Sequence, residues 1–163
     1  MNTISTVITE MMKYYKGDPK RIQHFMKVYQ FGKLIGELEG LDENQQRILE
    51  TACVVHDIGI KESEKKYNSS AGNYQELEGP PIAKELLMSF EYTKEEIERI
   101  CWLVGHHHTY KNIEGIDYQI LVEADFLVNA WEDGMSKETL HHVKDKIFVT
   151  KTGTLMLETM YLS

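Results

Sequence analysis

Hydrophobic positions recur along this chain at three- and four-residue intervals almost from end to end, the period of helices that bury one face. Ile4, Val7, Ile8 and Met11 form the first stripe. Asp18 before Pro19 marks a helix start, with proline at the first helical position. That helix is predicted to reach about Glu39, with His24, Val28, Phe31 and Ile35 on one face. Gly32, Gly36 and Gly40 repeat every four residues, a spacing that lets helices pack closely. Asp42 and Gln45 make a capping box for a third helix, whose stripe is Leu49, Ala52, Cys53 and His56 and which Gly59 stops. Pro80-Pro81 opens a fourth helix through Phe90. Thr93 and Glu96 cap a fifth, ending near His106-His107-His108, and a sixth runs from Asp117 to about Trp131. Leu140, Val143 and Ile147 mark a seventh, and a short last helix covers Leu155 to Leu162. No alternating strand pattern competes, so the predicted fold class is all-α, a compact bundle of about seven or eight helices.

One stretch departs from the pattern. Ile60 to Gly79 is polar, carrying Lys61, Glu62, Glu64, Lys65, Lys66, Asn68, Ser69 and Ser70. A connection of about twenty residues is long for a compact domain, and such loops are usually functional. It is read as a lid or substrate loop.

Length and charge narrow the classes. At 163 residues the chain is expected to form a single domain, 1–163, with a real core. Its longest uninterrupted apolar run, Ile100-Cys101-Trp102-Leu103-Val104, is far short of the ~20 residues that span a bilayer. Met1-Asn2-Thr3-Ile4-Ser5-Thr6 has no basic segment before an apolar one, so no signal peptide is expected. Cys53 and Cys101 stand singly, as free thiols do in a reducing cytosol, and a cytoplasmic location is expected. The net charge of −8 argues against general nucleic-acid binding, and nothing in it suggests a membrane surface. A small anionic substrate remains compatible, because bound divalent ions reverse the local field. Trp102, Trp131 and the methionines suit a core or an interface, which leaves an oligomer open.

Four charged or polar groups interrupt the apolar stripes. His56-Asp57 follows Ala52-Cys53-Val54-Val55 directly, His24 sits on an otherwise apolar helix face, and Asp125 lies within Ile120 to Val128. Burying a carboxylate in such a setting is costly unless something compensates it. No Lys or Arg stands one turn from Asp125. Each residue has an ordinary reading by itself: a satisfied core histidine, a distant arginine partner, a histidine favoured at a helix end. Taken together, two imidazoles and two carboxylates without a thiolate suit Fe, Mn, Co, Ni, Zn or Mg with positions left open for water and a phosphoryl oxygen.

In this order, His24, His56-Asp57 and Asp125 closely resemble the HD-domain superfamily of metal-dependent phosphohydrolases. His56 follows His24 by 32 residues and Asp125 follows Asp57 by 68, and the resemblance covers about 18–131. The ordered set carries it; the dipeptide alone would not. It implies an all-helical fold with these four residues around one metal. It also implies a possible second ion, bridged by Asp57. Glu78-Gly79-Pro80 is similar to the turn where dinuclear members carry His, here replaced by Glu78, whose carboxylate can still bind a hard cation. His106 and His107, ahead of His108, stand where such members place further ligands or substrate contacts. Asp57, His106 and His107 are the catalytic candidates that the resemblance suggests.

It implies hydrolysis of a phosphate ester or anhydride on a small, nucleotide-like substrate. Lys61, Lys65, Lys66 and Lys111 are basic enough to meet phosphate oxygens, although a solvated surface explains them equally. Tyr67, Tyr74 and Tyr110 are candidates for stacking on a base. The turn at Glu78 also resembles that of HD proteins that split symmetrical dinucleoside polyphosphates. Ile60 stands where single-metal members carry an acidic residue and some dinuclear members Lys, so the general acid has no candidate. His141 and His142, beyond the matched span, read as a surface pair. The rival readings are a non-catalytic HD sensor that binds metal or nucleotide, and a purely structural helical protein.

Overall fold

Most helices begin where their capping residues place them. The computed structural model describes residues 3–163; Met1 and Asn2, which open the segment read for a leader, lie outside them. Nine helices are present among the described residues: α1 (Thr3–Tyr14), α2 (Pro19–Leu38), α3 (Glu43–Val55), α4 (Ile60–Tyr67), α5 (Gly72–Leu87), α6 (Lys94–Val104), α7 (Ile116–Glu132), α8 (Lys137–Lys146) and α9 (Lys151–Tyr161). The Asp18 carboxylate accepts from the Arg21 amide to start α2, and both predicted capping boxes, Asp42 with Gln45 and Thr93 with Glu96, are formed. None of these helices is long and apolar enough to cross a membrane.

α7 is the axis of the core. It packs on α2 and α3, which also pack on each other; α1 backs α3, α6 flanks α3, and α9 closes against α7. Leu49, Ala52, Val54 and Val55 of α3 and Ile120, Leu121, Val122 and Leu127 of α7 are fully buried. Each large apolar side chain so placed contributes roughly 1.5–3 kcal/mol. That seam is what allows charged groups to be held at its edge. Two of the three repeating glycines serve the α2–α3 approach. A Cβ on Gly32 would stand 2.5 Å from Cys53 Sγ, and one on Gly36 2.9 Å from a Leu49 methyl. Gly40 instead adopts φ +77° in the turn after α2.

The expected loop from Ile60 to Gly79 is not a loop. α4 and the first half of α5 occupy it, joined only by residues 68–71, and Pro80-Pro81 lies inside α5 rather than opening a helix. The buried stripe of α5 is Gln75, Gly79, Ala83 and Leu87, spaced four apart, but its first half is amide and glycine. Hydrophobic periodicity therefore missed it. Gly59 does not stop α3, which ends at Val55; it is the N-cap of α4 with φ −79°. Its role is space, since a Cβ there would stand 2.7 Å from the Gln75 carbonyl and the Gly79 amide. The last helix also starts four residues earlier than expected, because Thr150 caps it by accepting from the Gly153 amide.

Candidate metal centre

Two helices and one turn deliver the four interrupting residues to one point. α3 ends at Val55, so His56 and Asp57 fall on the turn before α4 and face inward together. The hydroxyl of buried Tyr15 donates to the Asp57 carbonyl at 2.6 Å and fixes that turn from beyond the end of α1. His24 arrives from α2 and Asp125 from α7. His24 Nε2 lies 3.1 Å from Asp57 Oδ2, 3.2 Å from Asp125 Oδ1 and 3.3 Å from His56 Nε2. His56 Nε2 lies 3.3 Å from Asp57 Oδ2 and 3.4 Å from Asp125 Oδ1.

A second group shares Asp57. His107 Nε2 stands 3.3 Å from Asp57 Oδ1, the oxygen turned away from His24 and His56. Asp57, His107 and His108 each offer one donor atom, all within 4.8 Å of one another, as His24, His56 and Asp57 also do. Asp57 thus presents one oxygen to each side.

Each inward-facing nitrogen has its tautomer prepared. His56 Nδ1 donates to the Cys53 carbonyl at 2.7 Å, and His107 Nδ1 to that of Val104 at 2.8 Å. A neutral ring that donates through Nδ1 leaves a bare lone pair on Nε2. Two buried atoms here have no hydrogen-bond partner among the described residues: His107 Nε2 and Asp125 Oδ1. An orphaned buried acceptor costs on the order of 1–3 kcal/mol. A cation on the His24 side would satisfy Asp125 Oδ1 and one on the far side of Asp57 would satisfy His107 Nε2, so the mixed imidazole and carboxylate donors fit divalent ions.

Protons carry the balance when no cation does. Burial alone would lower the pKa of His24, but the facing carboxylates of Asp125 and Asp57 outweigh it and push it up to about 11. Burial is likewise overruled at His56, where the charge of Asp57 and the contact with Asp125 push it up to about 10. Burial would raise Asp57, yet the imidazoles of His56, His107 and His24 hold it well below the usual carboxylate range. His24 and His56 hold Asp125 low in the same way. His108 goes in the opposite direction: burial and then the charge of His107 lower it to about 4, leaving the neutral ring that binds metals.

Other predicted site residues lie elsewhere. His106 stacks on Trp102, with ring centres 3.9 Å apart, and donates through Nδ1 to the Trp102 carbonyl. It belongs to neither group of donors, and His108 joins His107 in its place. The pair Trp102 and His106, one turn apart on a helix end, was the available signal. Glu78 is held by Lys66 at 2.5 Å and is in neither group; Gln75, one turn earlier, reaches His108 Nε2 at 2.9 Å. Lys61 donates to the Tyr14 carbonyl at 3.1 Å and lies over the Tyr14 ring, away from the centre. Lys65 and Lys111 are exposed and do not line the cleft. Tyr67 and Tyr74 stack on each other, and Tyr110 rests on Phe126.

A cleft of about 340 Å³ opens onto His24, Asp57 and Asp125. Its basic wall is Lys20 and Arg21, not the predicted lysines, and Ser70, Gln75 and Asn129 supply neutral polar groups. Lys20 and Arg21 stand four and three residues before His24, one turn along the same face of α2, and that spacing could have identified them. His141 and His142 are exposed on α8.

The HD domain profile matches residues 21–145, and the chain belongs to the HD domain family. An uncharacterized protein of Clostridium beijerinckii is 31% identical over 109 residues, covering 60% of this chain and 66% of that protein, just under two thirds of its length. A crystal structure of a predicted HD superfamily hydrolase from an uncultured Thermotogales bacterium is similar at a TM-score of 0.65 and 20% identity. That match covers 96% of this chain and 82% of the other, and at that identity the likeness is one of fold.

Proposed function

We propose that the protein is a metal-dependent phosphohydrolase cleaving a phosphate ester or anhydride of a small, nucleotide-like substrate. The observation that carries this reading is the meeting of His24, His56, Asp57 and Asp125 at the floor of an open cleft, with His107 Nε2 and Asp125 Oδ1 buried and unpartnered. His24, His56, Asp57 and Asp125 would hold one divalent ion, and Asp57, His107 and His108 offer a place for another. Such an ion supplies a Lewis acid that polarises a phosphoryl oxygen and makes water acidic enough to attack near neutral pH.

The chain's own residues do the rest. Lys20 and Arg21 bring positive charge to the mouth, where phosphate oxygens would meet it. Arg21 is already braced by Asp18 and Glu64, which fixes its position. Ser70, Gln75 and Asn129 offer hydrogen bonds to the remainder of a nucleotide. Asp57, held by Tyr15 through its backbone, keeps both carboxylate oxygens aimed at the centre. The two unpaired cysteines support a reducing, cytoplasmic setting.

The test is direct. Purified protein is analysed for bound metal, then assayed with Mn, Fe, Co, Ni, Mg and Zn against a generic phosphate ester and a nucleotide panel. Metal-dependent turnover that Asp57→Ala abolishes, with helicity retained, is the expected result. Nucleotide binding without turnover under any metal would identify a sensor instead. No metal uptake, with melting unchanged by Asp125→Ala, would leave only a structural protein.

A further inference from the structure

The three imidazoles whose Nε2 atoms face Asp57 are restrained in different ways. His56 and His107 are fully buried and give their Nδ1 protons to backbone carbonyls three residues back. Packing and a neutral acceptor are enough to hold them. The His24 side chain is 13% exposed and lines the cleft, so packing alone does not lock its ring. Its Nδ1 meets a carboxylate: Glu132 Oε1 lies at 2.5 Å, from the last residue of α7. The other Glu132 oxygen is 3.5 Å from Lys27 Nζ, one turn beyond His24 on α2.

α7 therefore clamps this one ring from both sides. Asp125 and Glu132 are seven residues apart, two turns on the same face. Asp125 faces Nε2 at 3.2 Å, and Glu132 faces Nδ1. A carboxylate at Nδ1 fixes the tautomer, stops the ring from turning, and makes Nε2 a better donor than a carbonyl partner does.

We propose that Glu132 is a positioning residue for the metal centre, holding His24 as the Nδ1–H tautomer with Nε2 aimed inward, while Lys27 steadies the carboxylate. The role rests on the metal-centre reading above. Glu132 acts through His24.

Metal-free protein is titrated with Co(II), followed by calorimetry and by the visible absorption of the ion. Wild type, Glu132→Gln, Glu132→Ala and Asp125→Ala are compared, with helicity and melting of each metal-free form recorded. Glu132→Ala is expected to weaken Co(II) affinity roughly 10- to 100-fold and to alter the Co(II) spectrum. Glu132→Gln keeps an oxygen that accepts from Nδ1–H and is expected to recover most of that loss. Co(II) affinity of Glu132→Ala within twofold of wild type, or a glutamine variant no better than alanine, overturns the role while the metal centre stands. Failure of the wild type itself to take up Co(II) overturns both.

Discussion

Two buried carboxylates two residues apart on α7 have opposite surroundings. Glu123 is fully buried and fully satisfied. Its Oε2 accepts from Gln119 Nε2 at 2.6 Å and from the amides of Val149 and Thr150 at 2.9 and 3.0 Å, and its Oε1 accepts from Thr150 Oγ1 at 2.5 Å. It anchors the start of α9 and has no bonding capacity left to offer. Asp125 is nearly as buried, yet its Oδ1 has no hydrogen-bond partner among the described residues and faces two imidazole nitrogens. A buried charge satisfied by donors is scaffold. One that faces imidazole nitrogens able to give up their protons marks a place for a cation.

The sharpest break in that comparison is a pair of alanine variants. Asp125→Ala should reduce metal-dependent turnover by roughly a thousandfold or more, about 4 kcal/mol of transition-state stabilisation, with helicity kept. Glu123→Ala should do the reverse. It strands the amides of Val149 and Thr150 and is expected to cost about 3 kcal/mol, lowering Tm by roughly 6–12 °C, while metal stoichiometry is retained in the cold. Glu123→Ala losing metal at unchanged Tm would erase the distinction.

Proton linkage sharpens it next. With pKa values raised to about 11 and about 10, His24 and His56 are protonated near pH 7 in the metal-free protein. A divalent ion should therefore displace about two protons, and affinity should rise with pH up to about 11. Calorimetry in buffers of different ionisation enthalpy counts them, and zero release would contradict the paired charges. In the metal-free protein, the stability from these raised imidazoles is complete below about pH 6.5 and lost as pH rises through about 10 and 11. That from Asp57 and Asp125, held low, is present above about pH 4 and lost in acid. Metal-free Tm should accordingly fall on both sides of that window.

Smaller effects lie further from the centre. A Cβ on Gly153 would collide with Glu123 Oε1 and stand 2.8 Å from Thr150 Oγ1, both held by hydrogen bonds. Gly153→Ala should cost roughly 1–3 kcal/mol, read as a lower Tm with metal affinity unchanged. His141→Ala with His142→Ala should change neither Tm nor metal binding measurably, because both rings are exposed.

The same contrast shows what was legible in the sequence. His24, His56, Asp57 and Asp125 stood out because charge or imidazole broke an apolar stripe, and α1, α2, α3, α6 and α7 followed from stripes and caps. Glu123 breaks the same run as Asp125, and apart from Gln119 one turn before it the partners that satisfy it lie 26 and 27 residues away. α4 and the first half of α5 were hidden because Gln75 and Gly79 form a buried face without hydrophobicity. Lys20, Arg21 and Glu132 look like any solvated helix surface until His24 and Asp125 are used as reference points one or two turns away. Trp102, one turn before His106, was the one sequence signal for that ring, and His108 could be sorted only by geometry.

Tyr15 lies before the span matched by the family profile, yet its hydroxyl supports the backbone of Asp57. A shortened version cut at residue 21 would keep every proposed ligand and lose a strut beneath one of them. Expression boundaries drawn from the profile alone would thus yield a protein with the right side chains on a loosened floor, so the smallest faithful unit reaches back at least to Tyr15.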